Sequence, residues 1–217
     1  MQSKIYVWEI PVRFTHWLNF LCMLILSFTG VYIANPFLIA SSTDQYLMGW
    51  VRFIHFVAAY VLIVDLGVRI YWSFVGNKYA TWHALFPFDK ERIRKLKEQM
   101  SFYALIRNTP PEEIGHTPLA GIVYFLLFVI TGVSALTGFA LYSLYNPGGV
   151  MYAVFGRVFS LFSIPATRLI HHSVMWLILC FTILHLYIGF FLNAVERNGL
   201  LGSIFDGYKY IDTMKTK

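Results

Sequence analysis

Four long apolar stretches dominate the chain, and few charged residues interrupt them. A helix needs roughly 20 consecutive apolar residues to cross the ~30 Å hydrocarbon core of a bilayer. Because a helix satisfies its own backbone hydrogen bonds, it is the structure expected of such a stretch in lipid. The pattern therefore predicts four membrane-spanning helices, at about residues 14–34, 50–75, 119–142 and 169–193, with a long loop over residues 76–117.

A fifth apolar stretch, residues 150–164, is too short to cross a bilayer as a helix. Gly148-Gly149 precede it, Pro165 follows it and Arg157 interrupts it. We expect a short interfacial or re-entrant helix here; a fifth span would move the C-terminus to the other side of the membrane. Residues 89–107 alternate charged with apolar positions, which predicts a surface helix, with a solvated charged run as the alternative.

Composition agrees with this pattern. The 217 residues are 58% hydrophobic and only 13% charged, which excludes a soluble domain of ordinary make-up. We therefore expect an all-α integral membrane protein, a four-helix bundle with a short periplasmic interfacial helix. Residues 1–217 are expected to form a single membrane domain without a soluble catalytic domain. The net charge of +6 is read as loop charge and not as a sign of nucleic-acid binding.

The positive charges predict the orientation, because cytoplasmic loops carry an excess of Lys and Arg. The segment at residues 35–51 has none, and the segment between the third and fourth spans has only two. Both termini are therefore expected in the cytoplasm, with the chain in a bacterial inner membrane. The charges on the predicted cytoplasmic side are Lys4, Arg13, Lys78, Lys90, Arg92, Arg94, Lys95, Lys97, Arg107, Arg197, Lys209, Lys215 and Lys217.

Histidines within the spans are candidates for function, because an ionisable group is costly in lipid. His171 and His185 lie 14 positions apart on the fourth span. At ~100° per residue they differ by about 40°, so they share one face, and roughly 21 Å separates them along the axis. His172 lies about 140° away from His185 and does not share that face.

Depth in the membrane predicts a partner for each of these two histidines. His16 begins the first span at the cytoplasmic side, where His185 also lies. His55 lies about one turn into the second span from the periplasmic side, at the level of His171. Two imidazoles at each level suit the axial positions of haem iron, which predicts two haem b groups. Structural or proton-relay histidines remain an alternative, and so does another metal, although its ligands would cluster at one level.

Four arginines are candidates for pairing with haem propionates, since guanidinium binds carboxylate well. Interfacial anchoring is the alternative for three of them. For the fourth, Arg69, the simplest expectation is a pair with Asp65 one turn away. The four are Arg13, Arg52, Arg69 and Arg168.

Other residues are weaker candidates. His116, in a Gly-His-Thr-Pro motif before the third span, is a possible quinone-binding or quinone-protonating residue; helix-start capping is the equal alternative. Small residues could let a flat macrocycle approach a helix, or simply allow helices to pack; they are Gly30, Gly121, Gly132 and Gly138. The dipeptides Thr29-Gly30 and Thr137-Gly138 are too short to define an internal repeat.

An ordered set of motifs resembles the b-type cytochrome subunit of membrane-bound nickel–iron hydrogenases, over nearly the whole chain. Formate dehydrogenase cytochrome b subunits are similar in plan, with the same 14-residue spacing in the last helix. The matching stretches are VRFTHW at residues 12–17, MGWVRFIHF at 48–56, RIYWSFVGN at 69–77, GHTP at 115–118, TGFALYS at 137–143, His171 through Met175-Trp176 to His185, and DGY at 206–208.

The resemblance implies four spans, two haems and the ligand positions His16, His55, His171 and His185. It also implies partners, namely a periplasmic small subunit with iron–sulfur clusters and a large subunit with the nickel–iron site. The expected function is electron transfer from hydrogen oxidation to membrane quinone, with the hydrogen chemistry in the partner. The alternatives are a cytochrome subunit of a formate or thiosulfate enzyme, a b561-type reductase, and a non-haem membrane subunit or transporter.

Overall fold

The computed structural model describes residues 2–37, 42, 45–86, 89–111 and 113–212. Lys215 and Lys217, counted above in the C-terminal charge, lie outside the described residues. The elements, in chain order, are β1 (Gln2–Tyr6), α1 (Ile10–Ala34), α2 (Leu47–Val75), α3 (Trp82–Leu85), α4 (Lys90–Tyr103), α5 (Pro118–Ser143), α6 (Val150–Phe155), α7 (Val158–Leu161), α8 (Ile164–Glu196), α9 (Leu200–Asp206) and β2 (Tyr208–Asp212).

Four of the described helices, α1, α2, α5 and α8, are long and apolar enough to cross a membrane. The predicted class, an all-α multi-pass membrane protein, is confirmed. The helices extend beyond the predicted spans, most of all α8, which has 33 residues. The apolar pattern marks only the part of a helix that hydrocarbon requires, while backbone hydrogen bonding continues into the polar interface.

The two short predicted helices differ from expectation in detail. The apolar stretch after α5 forms two helices, α6 and α7, instead of one, and the chain is interrupted between them at Gly156-Arg157. The surface helix α4 is present, and the Asp89 side chain caps it by accepting the Arg92 backbone N–H at 2.7 Å. It ends at Tyr103, before the predicted limit of residue 107, and Leu105 takes a positive φ of 60°.

The structure divides into two compact units. The first comprises Met1–Trp17, Leu66–Leu126 and Leu184–Lys217, and the second comprises Leu18–Asp65 and Leu127–Ile183. The divisions fall inside the four long helices, so each of these helices contributes residues to both units.

A two-stranded antiparallel sheet in the first unit joins the ends of the chain. Strand β1 pairs with β2, with Tyr6 opposite Tyr208, and Gly207 O accepts the Val7 N–H at 2.8 Å. The sequence pattern did not indicate these strands. Their pairing places the N-terminal and C-terminal segments side by side, which is consistent with an even number of membrane crossings.

Glu9 and Asn77 connect the start of α1 to the end of α2 in the same unit. The Glu9 carboxylate accepts the Trp72 indole N–H at 2.9 Å and the Asn77 backbone N–H at 2.7 Å. The Asn77 amide donates to Val7 O at 3.0 Å, and its oxygen accepts two backbone N–H groups in the following turn. These bonds lie beside a small apolar cluster of Val7, Trp8, Val12 and Ala80.

We expect Asn77→Ala to destabilise the first unit by about 1–3 kcal/mol, because buried backbone groups lose their partners. Thermal unfolding of the purified protein in detergent measures this. Asn35→Ala, at an exposed position just after α1, is the matched control. Equal unfolding temperatures for the two variants would contradict the role given to Asn77.

Candidate functional site

His55 on α2 and His171 on α8 face each other within the second unit. Their ring centroids lie 6.4 Å apart. The His55 Nδ1 lies 2.8 Å from the Thr29 hydroxyl of α1, and the His171 Nδ1 lies 3.1 Å from the Thr137 hydroxyl of α5. Because each Nδ1 is held by a neighbouring helix, Nε2 is the nitrogen left for another ligand. We call this the outer pair.

His16 on α1 and His185 on α8 form the second pair, within the first unit. Their ring centroids lie 6.2 Å apart. The Nδ1 of His16 is buried and has no hydrogen-bond partner among the described residues. We call this the inner pair. The structure thus brings together the same four histidines that helical phase and depth predicted.

The spacing of both pairs fits two axial ligands on one metal atom. A metal–nitrogen bond of about 2 Å on each side, plus a ring radius of about 1 Å, places imidazole centroids about 6 Å apart. The observed separations are 6.4 Å and 6.2 Å. Each pair supplies two imidazoles, and haem iron needs only two ligands from the protein.

Two of the four predicted glycines lie directly beside the outer pair. A Cβ on Gly138 would lie 2.9 Å from His171 Cε1, and a Cβ on Gly30 would lie 3.5 Å from His55 Cε1. A Cβ on Gly132 would meet nothing within 4 Å among the described residues. Space next to the two rings therefore depends on Gly138 above all, since nearly all real Cβ contacts are longer than 3.0 Å.

Arg69 and Asp65 do not form the predicted pair. The Asp65 carboxylate accepts a hydrogen bond from the Asn19 amide of α1. The Arg69 guanidinium, on a residue only 3% exposed, lies 5.1 Å over the ring of Tyr124 on α5. The prediction was wrong because residues on other helices offer these two side chains different partners. Neither Nη1 nor Nη2 of Arg69 has a hydrogen-bond partner among the described residues.

The other three candidate arginines each precede a paired histidine by three residues, so each lies near the face of its histidine. Arg13 precedes His16 and donates through Nη1 to the carbonyl of Phe205. Arg52 and Arg168 precede the outer pair and are exposed. Their positions are compatible with either propionate pairing or interfacial anchoring.

His116 is partly buried and lies between aromatic rings. Its ring is 4.7 Å from Trp8 and 5.6 Å from Tyr124, and its Nδ1 is 3.4 Å from Tyr79 O. Desolvation, followed by the positive charge of Arg69, lowers the pKa of His116 to about 3, so the imidazole is neutral at physiological pH. Thr117, and not His116, caps the start of α5, since the Thr117 hydroxyl accepts the Ala120 N–H at 3.3 Å.

A cavity of about 380 Å³ opens beside His116, and the sequence pattern did not indicate it. Its walls come from the loop between α2 and α5 and from α4. Arg92 closes one side by donating to Ala84 O at 2.7 Å and to His116 O at 3.3 Å. The charged and titratable lining residues are Lys78, Tyr79, His83, Arg92, Glu113 and His116.

Four long membrane helices, three of which carry two facing histidine pairs, define a multi-pass membrane protein whose histidines suit the axial positions of a planar metal cofactor. A sequence model of the prokaryotic cytochrome b561 family matches residues 7–207, so the chain belongs to that family. A b-type cytochrome contains haem b. That cofactor agrees with the centroid spacing, with the space at Gly138, and with the Arg69 nitrogens that lack partners among the described residues.

Several relatives bear the name "Probable Ni/Fe-hydrogenase B-type cytochrome subunit". That of Rhizobium leguminosarum bv. viciae is 35% identical over 214 residues, covering 95% of this chain and 89% of the relative. That of Rhodobacter capsulatus is 36% identical over 217 residues, covering 96% and 82%. "Probable Ni/Fe-hydrogenase 1 B-type cytochrome subunit" of Escherichia coli (strain K12) is 34% identical over 212 residues, covering 94% and 90%. The resemblance indicated by the sequence motifs is confirmed.

The lowered pKa of His116 predicts an acid-sensitive stability. Its folded pKa of about 3 lies below the ordinary value of about 6.5, so the unfolded chain binds the extra proton first. The stability that neutral His116 contributes is therefore complete above about pH 6.5, and it should be lost as the pH falls from about 6.5 towards 3. We expect His116→Asn to lose less thermal stability on acidification than the wild type. His83→Asn, at an exposed position, is the control, and an identical loss in both variants would contradict the assignment.

Proposed function

We propose that the chain passes electrons from a periplasmic nickel–iron hydrogenase, which oxidises hydrogen, to quinone in the bacterial inner membrane. The observation that carries the proposal is the presence of two histidine pairs with the centroid spacing of axial haem ligands, 6.4 Å and 6.2 Å. When bound, a haem b at each pair supplies a one-electron carrier with both axial positions filled. The chain itself has no part in the splitting of hydrogen.

Helix α8 supplies one histidine to each pair, and its geometry determines how far apart the two levels are. His171 and His185 lie on one continuous helix, Ile164–Glu196. Fourteen residues of helix correspond to a rise of roughly 21 Å, most of the thickness of the hydrocarbon core. Two carriers on one helix therefore divide the membrane into shorter steps for an electron.

Arg69 supports an anionic partner at the inner level. A guanidinium buried in a membrane span is costly unless it meets a negative charge or several acceptors. Its two terminal nitrogens have no partner among the described residues, and the Tyr124 ring covers one face of the group. A haem propionate carboxylate supplies the missing acceptors, so we assign Arg69 to this role and Arg13, Arg52 and Arg168 to propionates nearer the membrane surfaces.

His116 and the adjacent cavity are the candidate quinone site. A quinone takes two electrons and two protons to become a quinol, so its site needs hydrogen-bonding groups and a route for protons. The Nδ1–H of His116 faces Tyr79 O, which can only accept, so the unprotonated Nε2 is left as an acceptor for the hydroxyl of a quinol, and charged side chains line the adjacent cavity. The excess of Lys and Arg in this loop favours its location on the cytoplasmic side.

The partners are proposed from the names of the relatives, which are described as Ni/Fe-hydrogenase subunits. The outer pair would receive electrons from a small subunit with iron–sulfur clusters, which is itself bound to a large subunit with the nickel–iron site. Both chain termini, joined through β1 and β2, would then lie at the opposite, cytoplasmic side.

Replacing one histidine of either pair should remove a single haem. We expect His16→Ala to lose the inner haem and His171→Ala to lose the outer haem, each leaving half of the wild-type haem content. The haem-to-protein ratio of the purified protein, with reduced-minus-oxidised spectra, measures this. His172→Ala is the matched control and should keep both haems. Full haem content in His16→Ala and His171→Ala, or loss in His172→Ala, would refute the pairing.

The identity of the partner is tested on the complex isolated from native membranes. We expect nickel–iron and iron–sulfur subunits to co-purify with the chain, and hydrogen to reduce its b-type bands and then a soluble quinone analogue. Co-purification with a formate or thiosulfate enzyme instead would identify the chain as the cytochrome subunit of that enzyme and contradict the proposed hydrogenase partner. A membrane fraction without b-type bands would refute haem binding altogether.

A further inference from the structure

Two Thr-Gly dipeptides occupy matching positions beside the two histidines of the outer pair. Thr29-Gly30 on α1 lies against His55, and Thr137-Gly138 on α5 lies against His171. The dipeptides belong to different helices, yet each contacts its histidine in the same two ways. The threonine hydroxyl meets Nδ1, and the glycine lies beside Cε1.

The hydrogen bonds at His171 determine which ring nitrogen carries the proton. The His171 Nδ1 lies 3.0 Å from the carbonyl oxygen of Ser134, which can only accept. Nδ1 must therefore carry the hydrogen. The Thr137 hydroxyl donates its own proton to Val133 O at 2.7 Å, so it also acts as an acceptor for the same N–H. His171 consequently presents an unprotonated Nε2.

His55 repeats this arrangement. The Thr29 hydroxyl donates to Ile25 O at 2.6 Å and lies 2.8 Å from His55 Nδ1. Both outer histidines thus direct Nδ1–H at a threonine hydroxyl, which leaves Nε2 to bind iron.

In the inner pair, the hydrogen bonding of Nδ1 can be compared at His16, where it differs from that of the outer histidines. The Nδ1 of His16 is buried without a hydrogen-bond partner among the described residues. An N–H that donates to an acceptor makes the opposite ring nitrogen a stronger electron donor to a metal. Stronger donation stabilises the oxidised, more positive iron, so it lowers the reduction potential.

We propose that Thr29 and Thr137 are positioning residues that lower the reduction potential of the outer haem by accepting the Nδ1–H of its two ligands. Gly138 leaves the space that the His171 ring needs, because a Cβ there would lie 2.9 Å from Cε1. The inference rests on the proposed function, in that it assumes haem at the outer pair. It also predicts the direction of electron transfer, because a lower potential at the outer haem favours electron flow from the outer to the inner level.

The test is a redox titration of the haem-loaded protein, followed by its b-type absorption bands. Thr29→Val and Thr137→Val remove the hydroxyl at nearly constant shape. We expect the outer potential to rise in each, by an amount that changes the oxidised-to-reduced ratio up to tenfold, or about 59 mV for one electron. The inner potential should not move. Loss of one component in His171→Ala identifies the outer haem.

Two further variants separate the hydroxyl from packing. Thr137→Ser keeps the hydroxyl and should restore the wild-type potential. Thr131→Val, the control, removes the hydroxyl of another buried threonine of α5, which is 4% exposed and bonds no histidine among the described residues. It should leave both potentials unchanged. If Thr137→Val loses its outer haem while Thr137→Ser keeps it, the hydroxyl positions His171, and the potential of the outer haem in Thr29→Val then decides the proposal.

Three outcomes would overturn the inference. The outer potential could stay unchanged in both valine variants, both haems could shift equally, or Thr131→Val could shift the outer haem as much as Thr137→Val. Each of these leaves two haems in the wild type and so leaves the proposed function intact. A wild type without two b-type components refutes the proposed function, and the inference with it.

Discussion

Hydrocarbon offers no hydrogen-bond partners, and this constraint governs where the polar side chains of the spans lie. Asp65 meets the Asn19 amide, and His55 meets the Thr29 hydroxyl. The Thr29 hydroxyl in turn donates a hydrogen bond to a backbone carbonyl of its own helix. The guanidinium of Arg69, whose terminal nitrogens have no partner among the described residues, is an exception within the spans and points to an anionic ligand. A membrane protein that binds an anionic, metal-containing cofactor keeps such donors without a partner in its own chain, because the cofactor supplies the acceptors.

The spans and the histidine pairs could be predicted from the sequence because both depend on general constants. Hydrocarbon thickness sets the length of an apolar stretch, and ~100° per residue sets which side chains share a face. Helical phase favoured His171 over His172, and depth matched His16 with His185. Nothing in these steps requires knowledge of how the helices pack, and the structure brings both pairs to separations of 6.4 Å and 6.2 Å.

Features that depend on which side chain lies opposite could not be predicted in this way. Asp65 and Arg69 look like a pair along one helix, but Asn19 and Tyr124 on other helices offer different partners. The strands β1 and β2 are five residues each at opposite ends of the chain, and only their pairing makes them strands. The Thr-Gly dipeptides were visible as sequence, yet their meaning depends on the histidine across from them.

The two units differ in the chemistry that surrounds their histidine pairs, and this difference suits different tasks. In the second unit, neutral hydroxyls and glycines hold the outer pair, so the surroundings contain few groups that exchange protons. The first unit contains Arg69, His116 and the cavity together with the inner pair. Under the proposed function, hydrogen bonding at the outer pair lowers the potential of that carrier and so favours the arrival of electrons at the inner level, where a quinone would take up protons.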